Sequence, residues 1–260
     1  MNINQKPTVS VVICAYNEEK YLGQTISSAL KCPTAEEIIV VNDGSTDKTK
    51  NVLKSFKDKI ISVSYKKNKG KGYAFSKGIK AANGQIIVML DADLKNLQEK
   101  HLKKMVKPIL KRETNFVLVQ LHKKNLLLSL TGQRAYLKEL LVPYLSIIKN
   151  SRYGLETYLN DIYKIRWGKT VKLSDLGHYL TTEKTSGNEV INKYIQEIIE
   201  ISKSRAEIQL RKYKTLKKLL NRKEIKSLRS LHKTLNEIKD KEISELADTY
   251  FIPYLKKNLR

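Results

Sequence analysis

From Thr8 to Leu121 the chain alternates short β-branched apolar runs with segments of helical periodicity, and this alternation limits the possible folds most. TVSVVICA (Thr8–Ala15), EIIVVN (Glu37–Asn42), Ile60–Tyr65, Gln85–Leu90 and Asn115–Leu121 read as strands. The first two and the fourth are apolar without alternation, as expected of strands covered on both faces. Between them, Glu18–Lys31 carries Tyr21, Leu22, Ile26, Ala29 and Leu30 at helical spacing, and Pro33 follows its end. A second helix follows the turn Asp43-Gly44-Ser45-Thr46-Asp47, with Ser45 or Thr46 available as its cap. Gly72–Ala82 and Leu97–Leu110 read as two more helices. Strand and helix in alternation predict an α/β fold: a mostly parallel sheet with helices on both faces. In such sheets ligands bind outside the carboxyl ends of the strands.

The polar punctuation falls on that edge. Asn17 and Glu18 follow the first strand, Asp43 the second, and Asp91 and Asp93 the fourth. IIVMLDAD (Ile86–Asp93) ends a buried strand in two carboxylates one residue apart. On extended chain such a pair projects to one side and suits a hard divalent cation, Mg²⁺ or Mn²⁺, which in turn binds a diphosphate. Between these elements lies Asn68-Lys69-Gly70-Lys71-Gly72-Tyr73-Ala74, a glycine and lysine loop that lets backbone and ammonium groups approach phosphates. It has neither the Walker spacing nor the Rossmann dinucleotide fingerprint.

A formal net charge of +24 favours anionic partners: nucleotides, nucleic acid or a lipid headgroup surface. The excess is densest from Ser202 to Thr234, where 12 Lys and Arg meet only 2 Asp and Glu. From about Asn188 onward the apolar residues fall on helical stripes, Ile191, Ile195 and Ile198 first, then Leu210, Tyr213, Leu216 and Leu220. The expected division is 1–187 for the α/β domain and 188–260 for a basic, all-helical extension. That extension could pack on the domain, pair two copies as a homodimer, or hold the protein at an anionic membrane surface. It contains no recognised nucleic-acid motif, so no nucleic-acid partner is expected. No apolar run reaches bilayer length and the first residues do not read as a secretory leader. Cys14 and Cys32 read as reduced packing residues, and the expected location is the cytoplasm.

VSVVICAYNEEKYL, EIIVVNDGSTDKT, NKGKGYAFSKGIKAANG and IIVMLDADL, in this order and spacing, resemble the successive blocks of the family 2 glycosyltransferases. The resemblance is strong over residues 8–94, looser to about 185, and absent from the C-terminal helices. It implies the GT-A (Rossmann-like) fold and a metal-dependent transfer from a nucleotide-diphosphate sugar, with UDP favoured. Carried over, Ala15, Tyr16, Asn17 and Glu18 would hold base and ribose, and Asp43 would read the uracil edge. Gly70 and Lys71 would sit near ribose and phosphates. Asp91 would contact the ribose or a metal-bound water, and Asp93 would ligate Mn²⁺ or Mg²⁺ directly.

The second half of the chain resembles the family more weakly. A strand is expected at Leu126–Leu130, a helix over Gly132–Lys149 with a break before Pro143, another helix over Tyr153–Arg166, and a strand at Lys169–Leu173. Thr131-Gly132-Gln133-Arg134-Ala135 resembles the acceptor-side loop of this family and its polyprenyl-phosphate and phosphoglycerate relatives. Arg134 then pairs with an anionic acceptor or the diphosphate, or is a surface arginine at a helix start. Tyr153-Gly154-Leu155-Glu156 resembles the segment that supplies an acid to the sugar pocket; Glu156 is a general base, a ligand to the sugar, or an exposed helical carboxylate. His178 lies where several GT-A enzymes supply a further metal ligand, whereas His101, His122 and His232 have no supporting context. Ile165-Arg166-Trp167 lacks the glutamine of the motif of processive synthases, so transfer is expected to be non-processive. The acceptor stays open between a lipid-linked and a small anionic molecule. A retaining transferase, a sugar nucleotidyltransferase and a non-enzymatic basic membrane- or RNA-binding protein are the other readings.

Overall fold

The computed structural model describes residues 7–121, 131–163 and 167–179, and positions 204, 207, 208, 210 and 211. The chain divides into Met1–Ile201 and Ser202–Arg260. In the second unit the described positions are helical. The expected strand at 126–130, the boundary at 187/188 and most of the basic extension lie outside the described residues.

The first unit is built on β1 (Val9–Ala15), β2 (Glu37–Asn42), β3 (Ile61–Ser64), β4 (Ile86–Asp91), β6 (Phe116–Gln120), β7 (Arg134–Leu137) and β8 (Lys169–Lys172). They form one seven-stranded sheet in the order β3-β2-β1-β4-β7-β6-β8. β1 pairs in parallel with β2 and β4, β2 with β3, and β6 with β8. β7 is antiparallel to both its neighbours. A second, two-stranded sheet joins β5 (Leu94–Lys95) to β9 (Gly177–His178).

The helices are α1 (Leu22–Leu30), α2 (Thr49–Ser55), α3 (Lys71–Ala81), α4 (Glu99–Leu110), α5 (Lys138–Leu141), α6 (Leu145–Asn150) and α7 (Leu155–Ile162). The unbroken apolar strands predict cover on both faces, and the core divides accordingly. Val9, Val11, Ile13, Ile38 and Val40 pack with Leu22 and Ile26 of α1 and Leu102, Met105 and Val106 of α4. Val12, Ile39, Val41, Ile87 and Met89 pack on the other face with Phe75 and Ile79 of α3, Ile148 of α6 and Leu155 and Leu159 of α7. Successive residues of one strand thus feed opposite layers, as the period of two requires.

Two expectations need correction. The segment Gly132–Lys149 is not a helix throughout: Arg134–Leu137 is strand β7, followed by α5, a 3₁₀ turn at Val142–Tyr144 containing Pro143, and α6. Inserted between β4 and β6, RAYL gains backbone partners on both sides, and that outweighs the helical leaning of the residues after it. Neither Ser45 nor Thr46 caps α2; the Thr49 N–H donates to Asp47 Oδ1 at 2.9 Å. Ser45 and Thr46 are instead bound to Asn17, as described next.

Candidate active site

Strand order reverses between β1, which leads to β2 and β3 on one side, and β4 on the other. The carboxyl ends of β1, β2 and β4 meet at this switch point, with Ala15 opposite Asn42 and Cys14 opposite Asp91. The loops after β1 and β2 are tied together. The Asn17 N–H donates to Ser45 Oγ at 3.0 Å, and the Thr46 N–H donates to Asn17 Oδ1 at 2.8 Å. Glu18 N–H donates to Thr49 Oγ1 and Glu19 N–H to Asp47 Oδ2. Asn17 adopts a left-handed conformation, φ 55°, to make these contacts. Its amide oxygen is therefore committed to the loop, whereas Tyr16 stands 40 % exposed beside it. Ala15 contributes its carbonyl, which accepts the Asp43 N–H at 2.9 Å.

Asp43 is buried, and its two oxygens accept the N–H groups of Lys69 and Gly70, each at 2.8 Å. This pins the glycine-lysine loop to the end of β2. Gly70 precedes α3 with φ 93°, and a Cβ there would lie 2.8 Å from the Arg152 Cα, so only glycine fits. Asn68 of the same loop holds its Nδ2 buried without a hydrogen-bond acceptor among the described residues. Such an orphaned donor costs stability and awaits a partner.

Lys71, the first residue of α3, reaches into the centre. Its Nζ lies 2.8 Å from Asp91 Oδ1 and 2.7 Å from Glu156 Oε1. Asp91 ends β4 and Glu156 sits in the first turn of α7, where the helix dipole favours a carboxylate. Burial opposes charge on Lys71, but the two carboxylates outweigh it and raise the ammonium well above its usual range. At Asp91 burial is likewise outweighed, chiefly by Lys71 and then by Gln133, and the carboxyl is held below its usual value. Gln133 Nε2 donates to Asp91 Oδ2 at 2.5 Å. Gly132 leaves room for this: a Cβ there would lie 2.4 Å from both Asp91 oxygens. Burial pushes the Cys14 thiol, opposite Asp91 in the sheet, up to about 12, so it stays protonated.

The small sheet lays the segment that carries His178 along the segment that follows Asp93. Leu94 pairs with His178, and the Tyr179 N–H donates to the Asp93 carbonyl at 3.1 Å. Tyr179 also stacks on Tyr21 at 3.9 Å, with Lys95 Nζ 4.2 Å from its ring centre, which fixes the strand carrying His178. Among the described residues no three His, Cys, Asp or Glu side chains form a metal cage. A carboxylate and an imidazole are donor types that fit Mg²⁺ or Mn²⁺ when a bound diphosphate completes the shell, because these ions take few protein ligands in such sites; His178 also helps hold the Asp91 carboxyl low. Asp91 is placed differently, since its oxygens already accept from Lys71 and Gln133.

The structure thus assembles Ala15, Tyr16, Asn17, Glu18, Asp43, Gly70, Lys71, Asp91, Asp93, Glu156 and His178 around one sheet edge. Arg134 does not fit either expectation. It is a strand residue only 1 % exposed, with Nε donating to the Thr131 carbonyl at 2.7 Å and Nη1 to Asn160 Oδ1 at 2.8 Å and Tyr136 Oη at 3.2 Å. It braces the 131–137 segment from within. Glu156 is likewise buried rather than an exposed helical carboxylate. Gln133 and the bridging role of Lys71 escape a sequence reading, since Lys71 and Glu156 are 85 residues apart. His101, without context in the sequence, is buried at the start of α4; its Nδ1 accepts the Gln98 N–H and its Nε2 lies 3.0 Å from Asp175.

Residues 10–169 match the model of glycosyl transferase family 2. An uncharacterized glycosyltransferase of Nostoc is 39 % identical over 90 residues, 33 % of this chain and 28 % of that protein. The undecaprenyl-phosphate 4-deoxy-4-formamido-L-arabinose transferase of Photorhabdus laumondii is 36 % identical over 107 residues, 38 % of this chain and 33 % of that protein. The match thus spans about a third or less of the length of these two relatives. The crystal structure of glucosyl-3-phosphoglycerate synthase from Mycobacterium tuberculosis, with Mn²⁺, UDP-glucose and phosphoglyceric acid, superposes with a TM-score of 0.59 at 23 % identity. That superposition covers 76 % of this chain and 79 % of the other, and shows a shared GT-A fold. No described helix is long and apolar enough to cross a membrane. With its four sequence blocks at one sheet edge and its family match across more than half its length, the chain belongs to glycosyltransferase family 2.

Proposed function

We propose that this glycosyltransferase moves a single sugar from a nucleotide-diphosphate sugar, UDP-linked by preference, to an anionic acceptor, with a divalent cation at Asp93 and His178. The observation that carries this reading is the convergence of Lys71, Asp91 and Glu156 within hydrogen-bond reach, next to the small sheet in which Leu94 pairs with His178 and the Asp93 carbonyl accepts the Tyr179 N–H. Asp43 shapes the loop over the nucleotide, and the orphaned Asn68 Nδ2 offers a donor to a carbonyl of the base. Exposed Tyr16 offers a face for the base to stack on. Lys71 would hold Asp91 and Glu156 in position beside the diphosphate. Mn²⁺ or Mg²⁺, when bound, would neutralise charge developing on the leaving nucleoside diphosphate. Mn²⁺ and UDP-glucose in the superposed synthase support this choice of donor and ion.

Glu156 has two roles open to it. As general base it would take the acceptor proton, giving inversion. The Lys71 ion pair favours the second role: a carboxylate already neutralised by an ammonium holds a sugar hydroxyl better than it removes a proton, as retention would require. Phosphoglyceric acid in the superposed synthase supports a small anionic acceptor, and the Photorhabdus relative supports a lipid-linked one. Residues 1–187 would form the catalytic domain, with the basic extension 188–260 serving peripheral membrane attachment or pairing of two copies.

A thermal-shift series with UDP-, GDP- and CDP-sugars, with and without Mn²⁺, tests the donor. A shift confined to UDP compounds plus metal is expected; indifference to every nucleotide would overturn the reading. NMR of the product anomer decides between inversion and retention.

A further inference from the structure

Residues 59–90 hold seven lysines and no acidic residue, so that stretch, including all of α3, carries its charge unopposed from within. Three ammonium groups converge outside the catalytic cleft. Lys69 Nζ lies 4.5 Å, Lys77 Nζ 5.7 Å and Lys149 Nζ 5.6 Å from the centre of the Tyr73 ring. They come from three places: the loop before α3, its second turn, and the last turn of α6 packed against it. Lys69, Tyr73 and Lys77 are four residues apart and share one face of the chain. Lys69 also lies 3.4 Å from Tyr73 Oη, and Tyr65 meets Tyr73 edge-on at 5.2 Å.

Lys71, only two residues from Lys69, turns inward to Asp91 and Glu156, so the cluster is separate from the catalytic ion pairs. Among the described residues no carboxylate lies within ion-pair distance of Lys69, Lys77 or Lys149. A tyrosine face offsets part of the repulsion among three like charges, but a single ring cannot neutralise them.

We propose that Lys69, Lys77 and Lys149 around Tyr73 form a binding site for a phosphate group. A phosphate presents three or more oxygens to ammonium groups arriving from different directions, whereas a carboxylate presents two in a plane. Lysine serves such groups as a point charge. The phosphate could belong to a lipid headgroup or to a soluble phosphorylated molecule. Because the Lys69 N–H is bonded to Asp43, the site adjoins the rim of the catalytic cleft. Resting on the transfer reading, it could hold the phosphate of an acceptor there.

The test compares the full chain, Lys77→Gln/Lys149→Gln, and Lys104→Gln/Lys107→Gln, which removes equal charge from exposed positions on α4. Inorganic phosphate binding is measured by calorimetry, and flotation by vesicles of phosphatidylglycerol with phosphatidylcholine against phosphatidylcholine alone. Each engaged lysine is worth about five-fold, so the Tyr73-side variant should weaken binding by about tenfold or more while the α4 variant stays near wild type. Selective loss with inorganic phosphate alone identifies a soluble ligand, and selective loss with anionic vesicles identifies a headgroup. Equal loss in both variants, or no binding of either probe, would overturn the proposal. As a second readout, the ammonium groups, Lys69 first, hold the Tyr73 phenol below its usual range, and bound phosphate should raise it. The Tyr73→Phe difference spectrum isolates that signal. Neither readout needs catalytic turnover, so failure here is distinguishable from failure of the transfer reading.

Discussion

Replacing Lys71 by methionine keeps the side chain's length and removes its charge. Asp91 and Glu156 are then left no more than about 5.5 Å apart, since both lie within 2.8 Å of the same Nζ. At an effective dielectric of about 20, two negative charges at that spacing repel by roughly 3 kcal/mol. The attraction to Lys71 is lost as well, but the Lys71 and Asp91 side chains keep 24 % and 28 % exposure, and solvent screens both effects. The expected loss is about 2–4 kcal/mol. In a unit of this size that lowers the melting midpoint by about 5–15 °C at pH 7. The pH dependence follows from Asp91, whose carboxyl is held low in the folded protein. Its contribution is fully present above the unfolded carboxylate value of about 4 and is lost as pH falls through the depressed folded value. The deficit of Lys71→Met should therefore be complete at pH 7 and still present near pH 4.5, and should shrink as pH falls below about 4. Urea unfolding of both proteins at pH 7, 4.5 and 3 measures it. An unchanged midpoint at pH 7, or a deficit that does not vary with pH, would refute the bridging ion pair.

Three other substitutions probe the surroundings. Gly132→Ala places a Cβ against the Asp91 carboxylate, which must shift; we expect loss of about 1–3 kcal/mol in unfolding free energy and weaker donor binding, and wild-type values for both would contradict the packing. Asp43→Ala frees the Lys69 and Gly70 N–H groups and should weaken UDP and UDP-sugars alike in calorimetry; a loss confined to one sugar would place Asp43 elsewhere in the pocket. Glu156→Gln should cut turnover about 10²–10⁴-fold with donor affinity little changed if Glu156 is the base, and far less if it only orients the sugar.

The parallel sheet and its functional edge were legible in the sequence because buried strands need no partner of a particular identity, only continuous β-branched runs bounded by turns. Strand β7 was not legible. RAYLKELL reads as helix, and its four strand residues are set by the gap between β4 and β6, a tertiary circumstance. For the same reason Arg134, read either as a partner of an anionic acceptor or the diphosphate or as a surface arginine at a helix start, lies inside the sheet. Asp43, Asp91 and Asp93 stood out through their place after strands. Their partners did not: the Lys71–Glu156 contact joins distant segments, and Gln133 reaches Asp91 only because β7 runs beside β4. Helix capping failed at closer range, since Ser45 and Thr46 bond Asn17 across the two loops and leave Asp47 to serve α2.

Binding of UDP to the wild type and to Asp93→Asn, each titrated with Mn²⁺ present and again with EDTA, tests the central claim most directly. Asp93 is buried in the turn between β4 and β5, and asparagine keeps its shape, so a melting midpoint measured alongside separates lost metal binding from a lost fold. The wild type should bind UDP more tightly, by about tenfold or more, with Mn²⁺, in keeping with the 10–100-fold effects seen around metal sites. That gain should vanish in Asp93→Asn. Equal binding with Mn²⁺ and EDTA in the wild type, or an undiminished Mn²⁺ gain in the variant, would contradict a metal-assisted nucleotide site at this sheet edge.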